Sequence, residues 1–150
     1  MKAFLQKLAE QLRPDAEDAP EPGSALALAA TALLFEVAFA DRTVAPAELA
    51  QIERALRGRF DLPEAELQTI ITEAQAGYED RVGVQSLTRT LTEHWEEPER
   101  FELVVAMWQV ALAEDGIDAF EEHRIRAIAD LLYLSHSRFI EAKLQARQRS

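Results

Sequence analysis

The sequence predicts an all-α protein: a single compact domain of about seven or eight helices, built from two pseudo-symmetric helical repeats. Three observations carry that expectation. Apolar residues recur at three- and four-residue spacing along most of the chain, as one face of a helix requires. No stretch shows the sustained strict alternation of a half-buried strand bounded by hairpin turns. One pattern, residues 36–67, returns at 109–140.

Taken in order, residues 3–12 place Phe4, Leu5, Leu8 and Leu12 at helical spacing among Lys2, Lys7 and Glu10, a short amphipathic helix. The run "RPDAEDAPEPGS" (13–24) mixes acids, prolines and a glycine and reads as a linker, so 1–22 is a leading segment and 23–150 the domain proper. Ser24 is placed as the N-cap of a nearly all-apolar helix that runs to about Ala40. Pro46 opens a second helix, with Leu49, Ile52, Leu56 and Phe60 along one face. "DLPEAEL" (61–67) breaks and restarts it at Pro63, and Leu67, Ile70, Ile71 and Ala74 continue inward until Gly77. A helix over 83–95 turns Val84, Leu87 and Leu91 inward. Pro98 opens another strongly apolar helix, "RFELVVAMWQVALA" (100–113), followed by helices over 119–132 and 136–147.

Composition excludes several chemistries. The 150 residues contain no cysteine, which rules out disulfides, thiolate zinc sites and cysteine nucleophiles. A net charge of −11 argues against nucleic acid, whose phosphates recruit clustered Lys and Arg, and against anionic membrane surfaces. The leading segment is interrupted by Gln, Lys and Glu and is no signal peptide. "ALALAATALLFEVAFA" (25–40) falls short of the roughly 20 residues a bilayer needs and carries Glu36. A buried core helix and a cytoplasmic protein without membrane insertion are therefore expected.

Within the repeat, Val37 aligns with Val110, Ala38 with Ala111, Asp41 with Glu114, Val44 with Ile117, Glu48 with Glu121 and Ile52 with Ile125. Each half is an apolar helix, an acidic elbow, an amphipathic helix, a break and another helix. Packing explains the apolar matches, since one half cannot bury its own face. It does not explain the matching acids.

The second elbow, "AEDGIDAFEEHR" (113–124), holds five carboxylates within nine residues: Glu114, Asp115, Asp118, Glu121 and Glu122. Asp118 and Glu121 have capping-box spacing, and Glu121 and Glu122 suit the positive end of a helix dipole. Glu114 and Asp115 fit neither role, because they close the preceding helix, where the dipole disfavours negative charge. Carboxylates converging there repel unless Arg, Lys or a metal intervenes, and hard cations such as Ca²⁺ or Mg²⁺ take such an oxygen shell. The spacing is not that of an EF-hand. Two readings stand: a divalent-cation site, or caps and ion pairs with Arg124 and Arg126 as internal countercharges. The first elbow keeps Asp41 and Glu48, but Arg42 and Ala45 stand where the second has Asp115 and Asp118. Glu36, an acid in an apolar helix, needs a partner: it completes a site with Asp41 and Glu48, or pairs with an arginine.

Other chemistry is thin. His94, His123 and His136 lack metal-ligand spacing and read as surface or capping residues; Ser135 reads as an N-cap, and Trp95 and Trp108 as core. No P-loop and no nucleophile elbow occurs, so no enzyme is expected.

The segments "EVAFADRTVAPAE" (36–48) and "QVALAEDGIDAFEEHRIRAIADLLYLS" (109–135), with the intervening "SLTRTLTEHWEEPERFELVVAMW" (86–108), resemble the TerB-like family of tellurite-resistance-associated proteins across about residues 25–145. The resemblance implies an all-helical fold of two related halves, acidic residues that bind a divalent metal, and a link to stress responses without a settled catalytic activity. Carried onto this chain, the metal-site positions are Asp41 and Glu48 in the first copy and Glu114, Asp118 and Glu121 in the second. Asp115 takes the place of the family's usual glycine, with Gly116 one position later. The expectation is a non-enzymatic module that binds a divalent cation at its elbows, Ca²⁺ or Mg²⁺ with Zn²⁺ or Mn²⁺ as alternatives, and contacts protein partners. The alternative is a scaffold domain without metal. A metal-assisted hydrolase would need an open coordination position in a concave pocket.

Overall fold

Prolines set four of the helix starts, because the ring fixes φ and the missing N–H is an orphan in the first turn anyway. The computed structural model describes residues 22–41, 44–76, 83–113, 117 and 119–149. Pro22 opens α1 (Pro22–Ala38), which a 3₁₀ turn (Phe39–Asp41) closes. Pro46 opens α2 (Pro46–Arg59), and Pro63 precedes α3 (Glu64–Ala76). Then come α4 (Val84–His94), α5 (Glu97–Leu112) with Pro98 in its first turn, α6 (Ala119–Leu131) and α7 (His136–Arg149). The described residues are all-helical, with no strand among them, as the apolar periodicity predicts.

One boundary differs from expectation. Helix α1 begins at Pro22, so Ser24 lies within its first turn instead of capping it. A proline preorganised for the first helical position outweighs the serine two residues later. The predicted leading helix over 3–12 and its linker up to residue 21 lie outside the described residues.

Helix α1 is apolar almost all round and is accordingly the central element: Ala25 and every residue from Ala27 to Ala38 are buried. It packs against α2, α3, α4, α5 and α6. Four alanines, Ala27, Ala29, Ala30 and Ala32, thin it and let its neighbours approach. The buried hydroxyl of Thr31 is satisfied by donating to the Ala27 carbonyl at 2.6 Å. Helix α5 is the second apolar rod, with Phe101, Leu103 to Trp108, Val110 and Ala111 buried, and it lies along both α1 and α7. Truncating any of the fully buried side chains here, such as Leu33 or Val104, removes about 2–5 kcal/mol for leucine and less for valine.

Charged staples hold α7 to α5. Arg138 donates to both Glu97 oxygens (2.8 and 3.0 Å) while its guanidinium carbon sits 3.6 Å from the Phe101 ring centroid. Arg149 donates to both Glu102 oxygens at 2.8 and 3.3 Å. Bidentate pairs of this kind fix geometry as well as charge. Ser135 caps α7 as expected, its Oγ accepting the Arg138 N–H at 3.2 Å. Helix α6 ends in a Schellman arrangement: the Leu134 N–H reaches the Ala129 carbonyl, and Tyr133 takes φ 58°. Arg100 reaches across from α5 to donate to the Leu132 carbonyl at that same end. No helix among the described residues is long and apolar enough to cross a membrane.

Candidate metal centre at the helix elbows

The two elbows follow the two apolar rods, because each rod ends where small and acidic residues replace the apolar run. After α1 the 3₁₀ turn ends at Asp41, and Pro46 restarts the chain as α2. Glu48 is the third residue of α2 and is buried, only 3% exposed. Its Oε1 accepts the Ala45 N–H at 3.0 Å, so the carboxylate turns back to the N-cap of its own helix. Ala45 has no oxygen to reciprocate, so only half of a capping box forms. Glu121 is likewise the third residue of its helix, α6, and is 5% exposed. Two carboxylates aligned by sequence thus occupy the same helical position and are both buried, where an acid is uncommon unless partnered.

The 3₁₀ turn packs on α6, which brings the backbone of the first elbow to the helix that carries Glu121. Glu36, in α1, is also buried, and Arg124 of α6 lies 3.6 Å from its Oε2. Of the two expected outcomes for Glu36, the arginine partner is the one found. Arg126, the other proposed countercharge, stands 5.5 Å over the Phe139 ring instead. Three buried acids therefore lie on α1, α2 and α6, but among the described residues no group of three or more Asp, Glu or His side chains gathers at one point.

Glu114, Asp115 and Asp118, with Arg42, lie outside the described residues, and of Asp41 only the backbone is described. The donor chemistry of the elbow set is carboxylate oxygen throughout, which suits Ca²⁺ or Mg²⁺ better than a thiolate- or imidazole-seeking ion. All three histidines are exposed, and His94 Nδ1 sits 2.9 Å from the Thr90 carbonyl of its own helix. Trp95 and Trp108 are core residues, as expected.

The staples on α7 had no signal in the sequence, because Arg138 and Glu97 meet only through packing of distant helices. Nor did the groove between α2 and α5, lined by Arg59, Glu102 and Gln109. Gly58, the penultimate residue of α2, also lines it.

Fold and elbows together define a helical domain with two acidic interhelical turns. The family model described as Tellurite resistance protein TerB matches residues 27–144, from the first turns of α1 to within α7 and across both elbows. The chain belongs to the TerB family. No curated protein and no solved structure matches it.

Proposed function

We propose that this TerB-family chain is a non-enzymatic helical module that binds a divalent cation at its acidic elbows and presents a surface to protein partners. The observation that carries the reading is the burial of Glu48 and Glu121 at the same position of the two helices that leave the elbows. A carboxylate offers about four acceptor sites, so a capping contact such as that of Glu48 leaves room for coordination. Glu114, Asp115 and Asp118 would supply the rest of the second site, and Asp41 would join Glu48 at the first. Glu36 would join them only in competition with Arg124, whose guanidinium faces its carboxylate at 3.6 Å. Coordination would fix the angle at which α6 leaves α5, and with it the surface those helices offer.

One observation favours the second reading, a scaffold without metal: Arg124 supplies an internal countercharge to Glu36. Thermal melts with excess chelator and with excess Ca²⁺, Mg²⁺, Mn²⁺ or Zn²⁺ separate the two. A site filled at about 100 times its Kd adds about 2.7 kcal/mol of stability. A melting point that ignores all four ions and the chelator leaves the scaffold.

A further inference from the structure

Away from the elbows, α2 and α5 diverge around a cavity of about 330 Å³ lined by Ala55, Gly58 and Arg59 on one wall and Glu102, Ala106 and Gln109 on the other. That is within the range of small-molecule sites. Arg59 also borders a small apolar pit beneath it, with Leu34 and Leu103. Its guanidinium carbon stands 5.3 Å from the Trp95 ring centroid, and Trp95 in turn stacks on Phe60 at 6.1 Å. An aromatic pile thus backs the cation and holds it at the groove.

Among the described residues no carboxylate pairs with this guanidinium. Glu102, the acid on the facing wall, is engaged by both Arg149 nitrogens. Burial pushes Arg59 below the usual arginine range, with the fields of Glu102 and Glu99 opposing it. A half-buried cation that gives up water without a hydrogen-bonded anion is costly unless a ligand supplies one.

Gly58 shapes the same wall of the groove. It is the penultimate residue of α2, in a last turn where a glycine costs less than in a helix interior. A Cβ built there meets nothing within 4 Å, so close packing does not require the glycine. What it does is keep the wall of the groove open.

We propose that the groove between α2 and α5 is a binding site for a small organic monocarboxylate, held by the Arg59 fork with the Gln109 amide on the opposite wall. A planar guanidinium matches a carboxylate in two parallel hydrogen bonds. One free positive charge beside Glu102, in a chain of net charge −11, disfavours a dianion such as phosphate.

The test is a titration of the full ¹⁵N-labelled chain with propionate, butyrate and benzoate, and with the three matching amides as neutral isosteres. Saturable shifts at the Gly58 N–H and the Gln109 side-chain amide are expected with the acids only. Arg59→Gln should weaken binding by roughly tenfold or more, the loss of a charge-assisted bidentate pair. Gly58→Leu should fill the groove and abolish binding while its melting point stays level or rises, which separates a lost site from a lost fold. No saturable shift with any of the three acids, equal shifts with the amides, or binding that survives Gly58→Leu would overturn the proposal.

Discussion

Replacing Arg124 with leucine removes the countercharge that the described residues place beside the Glu36 carboxylate of α1. The two groups stand 3.6 Å apart, with the Glu36 side chain 9% exposed and that of Arg124 37% exposed. Unit charges at that separation attract by about 1 kcal/mol in water and about 5 kcal/mol at an effective dielectric of 20. The half-open arginine puts the pair between those limits, and the entropy of holding a long side chain subtracts further. A cost of about 2 kcal/mol is expected for Arg124→Leu, near a 1 M fall in urea midpoint at an m-value of about 2 kcal/mol/M. The reverse change is asymmetric. Glu36→Leu removes the buried charge and lets Arg124 turn to water, so it should be nearly neutral, and the double variant should lie within about 1 kcal/mol of the parent. Urea denaturation of the three variants reads this directly. A neutral Arg124→Leu would refute the reasoning. So would a Glu36→Leu that costs more than Arg124→Leu, since Glu36 would then owe its burial to another cation.

Other outcomes follow from the same geometry. Tyr133 is 78% exposed and sits at φ 58°, where a side chain is strained, so Tyr133→Gly should raise stability by about 0.5–1 kcal/mol in thermal melts despite the looser unfolded chain. Trp108 is fully buried with its Nε1–H unpartnered among the described residues, so Trp108→Phe should cost far less than the roughly 3–5 kcal/mol of Trp108→Ala, as denaturant titration would show. Hydrogen bonds from Arg138 and Arg149 hold the Glu97 and Glu102 carboxyls below their ordinary value of 4.5. A depressed carboxylate adds stability above its unfolded value and loses it as pH falls through the folded one. Urea midpoints should therefore drop below about pH 4.5, and an Arg138→Leu/Arg149→Leu variant should show a flatter decline.

What could be read from the sequence was whatever local chemistry decides. Pro46, Pro63 and Pro98 mark helix starts, Ser135 caps α7, and the spacing of Ile52 and Leu56 or Ile125 and Ile128 names buried faces, because each depends on residues within a turn or two. The Ser24 cap failed for an equally local reason, the stronger start signal of Pro22. At the elbows the identity of the acids was plain, and so was the need of Glu36 for a partner. That the partner is Arg124 depends on how α6 lies against α1, which no spacing encodes. The groove was hidden for the same reason: Arg59, Glu102 and Gln109 are unremarkable until α2 and α5 bring them to one space.

The elbow reading meets its most direct test in calorimetric titration of the EDTA-stripped chain with Ca²⁺, Mg²⁺, Mn²⁺ and Zn²⁺, beside the Glu114→Gln/Asp118→Asn variant. Saturable heat with at least one ion, lost in the variant, is the result the account predicts. No heat with any ion, or heat that the variant retains unchanged, would contradict it.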